Sequence, residues 1–185
     1  QHPIRMIWTS IVQYGGRWLG MTDKKEIVTF FSESMNVMLP EVVSSFLYRY
    51  GFFEEGLTTF IIAHLKPGMV FFDIGPHYGY FTLLAAQLVG SEGAVRSFEP
   101  TPSTFQLLVE NTRKHPQIIA YNIAIWSTQT TLEFNDYGIS FSAFNSAYNP
   151  RIENQDKENR QPQGHQVSAI SIGCYIQETN CIPGV

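Results

Sequence analysis

An acid at the end of an apolar run, followed by two glycines, is the stretch of this chain best equipped for chemistry. Val70 to Thr82 reads VFFDIGPHYGYFT: the run ends in Asp73, Gly75 and Gly79 follow, and a helical pattern begins near Tyr80. Glycine lets the backbone take unusual torsions and approach a ligand closely, because no Cβ intervenes. The free N–H groups of the new helix point at that ligand. A second acid, Glu99, ends the next strand-like stretch, Ala94 to Phe98, just before Pro100. An ionised carboxylate only accepts hydrogen bonds. Both hydroxyls of a ribose can donate to Glu99, which is the role of the acid that follows the glycine turn in nucleotide-binding βαβ units. Asp73 either receives a ligand's amino group, directly or through water, or fixes the turn by accepting backbone N–H bonds. Asn122, at the end of a third run, either meets an adenine edge or is a polar group satisfied at a strand end.

The spelling of the turn limits the ligand. It is G-x-x-x-G, whereas the dinucleotide fingerprint uses three glycines to seat a pyrophosphate. His77 stands where a middle glycine would be, and Pro76 has no N–H to donate. A phosphate cradle is weakened. The methionine part of S-adenosylmethionine, with an amine, a carboxylate and no phosphate, fits better. The plainer readings are a turn that only packs a helix on a strand, and a surface glutamate before a proline turn.

These residues need a strand–turn–helix frame, and the pattern supplies it. Glu26 to Phe31 and Met35 to Leu39 suit short strands ended by Pro40, and Val42 to Tyr50 a helix stopped by Gly51. Leu57 to Leu65 is a second helix with Leu57, Phe60, Ile61 and Leu65 on one face. Lys66-Pro67-Gly68 turns into the first strand. Phe81, Leu84, Ala85 and Leu88 then recur at helical spacing. Ala94 to Phe98 is a second strand. Pro102 opens a helix whose apolar face is Phe105, Leu108, Val109 and Thr112, and Ile118 to Ile125 is a third strand. Strand and helix in alternation imply a doubly wound, mostly parallel α/β sheet. Thr130 to Phe134 suits a short strand. Residues 149–166 are nearly devoid of aliphatic side chains and read as an exposed loop. Val167 to Ile172 returns as a strand, and Gly173 to Glu178 as a short helix.

Composition narrows the classes. At 185 residues with 44% apolar content, the chain is long enough for one well-formed core. A net charge of −4 leaves no electrostatic footprint for nucleic acid or an anionic membrane. No apolar run reaches the length of a membrane span. Ile4 to Leu19 is interrupted by Arg5, Gln13 and Arg17, too broken for a signal peptide, so the chain reads as cytoplasmic. Cys174 and Cys181 lack metal-ligand spacing and read as reduced thiols. Nothing in the sequence requires a metal.

Four segments together resemble the FkbM family of S-adenosylmethionine-dependent methyltransferases. The family's first motif, D-x-G-A-N-x-G-Y-x-T, stands here as Asp73 to Thr82, with Pro76 and His77 in place of Ala-Asn. Its F-E-P-x-P stands as Phe98 to Pro102. Tyr50-Gly51-Phe52-Phe53-Glu54 is similar to its upstream Y-G-x-x-E, and YNIAI is similar to the following strand. The family's later Asp-x-Glu-Gly strand has no counterpart.

The resemblance implies a Rossmann-like class I methyltransferase fold that stops after its N-terminal half. Residues 1–50 form an extension or cap in this reading, and residues 51–185 a partial cofactor domain. It implies an S-adenosylmethionine site built from Glu54, Asp73, Gly75, Pro76, His77, Gly79, Glu99, Pro100 and Asn122. The reaction implied is O-methylation of a sugar, lipid or secondary metabolite, with His77 the nearest general base by position. The partners expected are a small-molecule or glycan acceptor, and possible self-association through a bare strand edge at Val70 to Phe72. The alternatives are an inactive domain retaining part of the site and a nicotinamide-dependent oxidoreductase, against which the turn argues.

Overall fold

The computed structural model describes residues 22–148 and 162–184, so Ile4 to Leu19 and most of the expected 149–166 loop lie outside the described residues. The chain forms two compact units, one from Gln1–Phe53 with Glu133–His165 and one from Glu54–Leu132 with Gln166–Val185.

In the first unit, β1 (Asp23–Val28) and β2 (Ser34–Leu39) form an antiparallel hairpin with Asp23 opposite Leu39 and Val28 opposite Ser34. The first strand ends before the expected Phe31. Thr29 Oγ1 donates to Glu33 O and accepts from Glu33 N, both at 3.1 Å, which closes a turn at that point. The expected helix α1 (Val42–Tyr50) is present. The buried Glu41 carboxylate accepts from Val43 N and Ser44 N at its start, and Gly51, at φ 72°, ends it in the left-handed region. A 3-10 helix at Ile139–Phe144 has no counterpart in the sequence reading.

The second unit holds the strand–helix alternation: α2 (Glu55–His64), β3 (Val70–Ile74), α3 (Tyr80–Val89), β4 (Ala94–Phe98), α4 (Pro102–Thr112) and β5 (Ile118–Tyr121). The three strands form a parallel sheet in the order β3-β4-β5. The register puts Asp73 beside Ser97, and Phe98 between Ile74 and Tyr121. Side chains alternate between faces along a strand. Thr82 of α3 reaches Asp73 and Ser97 on one face. Tyr175, from α5 (Ile172–Thr179), lies edge-on to Phe72 and Phe98 on the other. Helices therefore cover both faces, which makes this a doubly wound, Rossmann-like α/β arrangement. Leu83, Val89, Val95, Phe98 and Leu108 are fully enclosed. Burial of each such side chain contributes on the order of 1.5–3 kcal/mol.

Four expectations are corrected. The third strand breaks at Asn122: β5 ends at Tyr121, and a separate β6 (Ala124–Ile125) pairs with β8 (Gln163–Ile170), Ala124 beside Ala169. Asn122 donates its side-chain N–H groups back to Glu99 O and Pro100 O, holding the chain to the loop after β4 where the β4–β5 pairing ends. Strand β8 begins at Gln163, inside the expected loop. Its polar side chains stay outward and it lies between β6 and β7 (Thr130–Asp136) in sheet order, because backbone pairing needs no apolar side chain. The buried line of α2 is Thr58 and Ile61, continued by Leu65 beyond its end, while Leu57 and Phe60 are exposed; a helix apolar on every side does not declare its inner face by periodicity. In α4 the inner face is Thr104, Leu107, Leu108, Asn111 and Thr112, and Val109 is exposed.

As expected, β3 stands at the edge of its sheet, and one backbone hydrogen bond, from Gly184, reaches it there. Gly184 N donates to Val70 O at 2.8 Å, and Val70, Phe71 and Phe72 are half-buried.

Two glycines, Gly93 between α3 and β4 and Gly56 in α2, differ in the space around them. A Cβ on Gly93 would clash with Val89 Cβ and sit 2.7 Å from the Met69 carbonyl, whereas one on Gly56 would meet nothing within 4 Å. Gly93→Ala is expected to lower stability by about 1–3 kcal/mol. Gly56→Ala, inside α2, is expected to raise it by about 0.4–1 kcal/mol. Urea unfolding midpoints of the two variants check both signs.

Candidate functional site

The β3–α3 turn departs from ordinary backbone geometry at three places. Gly75 (φ 73°), His77 (φ 54°) and Gly79 (φ 96°) all lie in the left-handed region. Gly79 has a second reason to be glycine, since a Cβ there would come within 2.7 Å of Leu108 Cδ1. The turn's N–H groups are largely engaged within the protein: Gly75 N donates to Phe98 O, His77 N to Glu99 Oε2 and Gly79 N to Pro76 O. Pro76 has none. Asn111 of α4 donates to Tyr78 O at 2.8 Å and pins the turn from the far side.

Glu99 follows directly on β4 and is 5% exposed. Its Oε2 accepts from His77 N at 3.2 Å and its Oε1 from Thr101 N at 2.9 Å. The carboxylate thus joins the turn after β3 to the turn after β4. Burial pushes its pKa up to about 7, against the pull of the Thr101 and His77 hydrogen bonds and with a small push from Asp73. Asn122 reinforces the same loop through Glu99 O and Pro100 O at 2.8 and 3.0 Å. Its own side chain stays exposed.

Asp73, 8% exposed, accepts from Thr82 Oγ1 at 2.6 Å, and Thr82 Oγ1 lies 3.0 Å from Ser97 Oγ. The Thr82 backbone N–H also bonds this carboxylate. Gly79, the residue before α3, has no side chain to cap the helix, and Asp73 does so from the strand. Burial pushes the Asp73 pKa up to about 6, against both Thr82 hydrogen bonds. Among the described residues no lysine or arginine forms an ion pair with it.

The structure thus brings Asp73, Gly75, Pro76, His77, Gly79, Glu99, Pro100 and Asn122 to the carboxyl ends of adjacent strands. Glu54 is tied to them only indirectly. It is exposed, precedes α2 at φ 45°, and its carbonyl accepts from Thr58 N; the Thr58 hydroxyl lies 3.4 Å from Tyr80 OH at the start of α3. The His77 ring lies against that of Tyr78, centroids 3.8 Å apart and planes tilted by 38°, and burial lowers its pKa to about 4. It is neutral at pH 7 but a weaker base than a free histidine, below the range that suits general-base work at neutral pH. Thr82 enters the sequence reading only as the last residue of the motif, and Ser97, Thr101 and Asn111 have no role in it. The one available signal was a small hydroxyl or amide placed among apolar neighbours on strand or helix, which only burial makes meaningful.

Among the described residues no group of His, Cys, Asp and Glu could hold a metal ion, and no helix is long and apolar enough to cross a membrane.

No protein-family model and no curated protein sequence matches the chain. Solved structures that it is similar to include an S-adenosylmethionine-dependent methyltransferase from Aquifex aeolicus, at 18% identity over 42% of this chain and 43% of that one, with a TM-score of 0.34. An S-adenosylmethionine-dependent O-methyltransferase from Thermotoga maritima matches at 18% identity over 57% of this chain and 43% of that one, with a TM-score of 0.38. Aeropyrum pernix fibrillarin, crystallised with natively bound S-adenosyl-L-methionine, matches at 18% identity over 33% of this chain and 26% of that one, with a TM-score of 0.32. The chain spans less than half the length of each of these proteins.

The two carboxylates make stability depend on pH with a definite sign. Both have a folded pKa above the unfolded value, 3.8 to about 6 for Asp73 and 4.5 to about 7 for Glu99, so the folded state binds protons more tightly. Their contribution is fully present below about pH 4 and is lost as pH rises through about 6 and 7. Each is worth on the order of 3 kcal/mol across that window. Asp73→Asn and Glu99→Gln are each expected to gain stability relative to wild type as pH rises from about 4 to about 8, by up to that amount. Urea midpoints measured at several pH values check this; variants that run parallel to wild type across the window would contradict it.

Proposed function

We propose that this chain carries the S-adenosylmethionine site of a methyltransferase whose acceptor is a hydroxyl group on a sugar, lipid or secondary metabolite. The observation that supports this most directly is the turn after β3. Its N–H groups are engaged by Phe98 O, Glu99 and Pro76 O, while two buried carboxylates stand at the ends of β3 and β4. A pyrophosphate needs free backbone donors at that turn. A ligand with an amine and a diol, and no phosphate, needs acceptors instead. The arrangement favours the second ligand and argues against a nicotinamide dinucleotide.

The residues divide the ligand between them. An ionised carboxylate has about four acceptor positions. Glu99 uses some of them on His77 N and Thr101 N, which leaves room for two ribose hydroxyls. Asp73, buried and without a cationic partner among the described residues, suits the amino group of the methionine part. Asn122, with its N–H groups engaged, offers its Oδ1 to an adenine edge. When bound, the cofactor supplies a methyl group already electrophilic on sulfur. The protein's task is alignment of acceptor and donor. The finer assignment to the FkbM type rests on the motifs Asp73 to Thr82 and Phe98 to Pro102. The free thiols Cys174 and Cys181 suit a reducing, cytoplasmic setting.

Calorimetric titration tests the reading. S-adenosylmethionine is expected to bind and NAD⁺ to bind at least tenfold more weakly. Glu99→Ala is expected to weaken S-adenosylmethionine by about 1.5–3 kcal/mol, the range for hydrogen bonds to a charged group. Ribose donors favour the ionised form of Glu99, so its pKa, about 7 in the free protein, falls on binding. Protons are then released near pH 7, and affinity rises with pH. Titrations in buffers of different ionisation enthalpy measure that release. An unchanged dissociation constant in a folded Glu99→Ala protein would sink the site assignment. Binding without methyl transfer to any hydroxyl acceptor would favour a domain that keeps the site but not the activity.

A further inference from the structure

We propose that Thr82, backed by Ser97, is the positioning residue of this site: its hydroxyl sets the orientation in which the Asp73 carboxylate meets the ligand's amino group. The role toward a ligand rests on the S-adenosylmethionine reading; the hold on Asp73 does not.

The geometry leaves little freedom. Thr82 Oγ1 donates to Asp73 Oδ2 at 2.6 Å, a short, charge-assisted contact. A hydroxyl has one proton. With that proton engaged, the 3.0 Å contact between Thr82 Oγ1 and Ser97 Oγ has Ser97 as donor. The order is Ser97 to Thr82 to Asp73, two aligned hydroxyl dipoles ending on one carboxylate oxygen, and such chains strengthen each bond. The three residues come from three different elements. Asp73 and Ser97 are register partners on β3 and β4, and Thr82 lies in the first turn of α3. Thr82 and Ser97 are fully buried and Asp73 nearly so, so water does not compete.

Among the described residues, the groups drawing Asp73 toward its ionised form are the Thr82 hydroxyl and N–H. The other titratable groups of the site are Glu99, whose charge disfavours a second anion nearby, and His77, which burial keeps neutral. Thr82 therefore acts as the counterweight to burial in the free protein. A helix cap alone would need only its backbone N–H, which any residue but proline provides. The hydroxyl, and the serine behind it, are the additional feature.

Three variants separate a positioning role from a packing role. Thr82→Val keeps the shape and removes the hydroxyl, Thr82→Ser keeps the hydroxyl and removes a methyl, and Ser97→Ala removes the second link. The Asp73 carboxyl is followed by carbon-13 NMR against pH in the ligand-free protein, and S-adenosylmethionine affinity by calorimetry at pH 7. In Thr82→Val the Asp73 midpoint is expected to rise above its wild-type value near 6, and affinity to fall on the order of tenfold. Thr82→Ser should restore both. Ser97→Ala should shift both in the same direction by less, and it decides the matter if Thr82→Val fails to fold. A midpoint that does not move in the hydroxyl-less variants, or a serine variant that behaves as valine, overturns the proposal. A midpoint that moves as expected in a protein that never binds S-adenosylmethionine keeps Thr82 as the residue that holds Asp73 and removes the cofactor reading instead.

Discussion

A carboxylate that is 5% exposed must find hydrogen-bond donors, and Glu99 finds them in two different loops. One oxygen accepts from His77 N in the turn after β3, the other from Thr101 N after β4. Neither turn can move without leaving a buried charge underbonded, a loss of a few kcal/mol. The left-handed torsions at Gly75, His77 and Gly79, the break at Asn122 and the start of α4 are all arranged around that bridge. Local strain in the turn is therefore tolerated because the surroundings over-determine it.

Asp73 plays the matching part beneath the same turn. It caps α3 from outside the helix, where Gly79 has no side chain to do so, and the Thr82–Ser97 pair completes its hydrogen bonding. In the proposed reading the structural and functional roles of Asp73 are not rivals. An acid held rigid by a helix terminus is a better receptor for an amine than one free to rotate, because its orientation is settled before the ligand arrives. Burial holds the pKa values of both acids up, to about 6 and about 7, so their charge depends on what binds.

The rest of the second unit supplies rigidity. Phe98 stacks on Tyr121 at 5.3 Å with Tyr175 edge-on to both, and Tyr175 OH donates to Tyr121 OH at 3.0 Å. That cluster fills one face of the sheet under the residue that precedes Glu99. The close approach of Gly79 to Leu108 and the Asn111 bond to Tyr78 O fix the other side of the turn against α4.

The sequence by itself determined the alternation of strands and helices, the glycine turn and the two acids at strand ends. These are local signals: apolar runs, a proline at a helix start, and glycines where the backbone needs positive φ. It also weakened the case for a pyrophosphate cradle, since Pro76 has no N–H and His77 stands in place of a middle glycine. Which side of α2 faces inward was decided only in three dimensions, since a helix apolar all round has no preferred face until something packs on it. So was the end of β5 at Asn122, where a side chain outcompetes the sheet ladder for carbonyls distant in sequence. Strand β8 was hidden for the opposite reason, because a backbone ladder forms without apolar side chains once a neighbouring strand is present. The donors to Asp73 and Glu99 were the least legible. Thr82 is only the last letter of a motif and Ser97 and Thr101 are ordinary residues in the chain; burial makes the Thr82 hydroxyl the donor to Asp73, nine positions away, sets Ser97 behind it, and turns the Thr101 N–H onto Glu99.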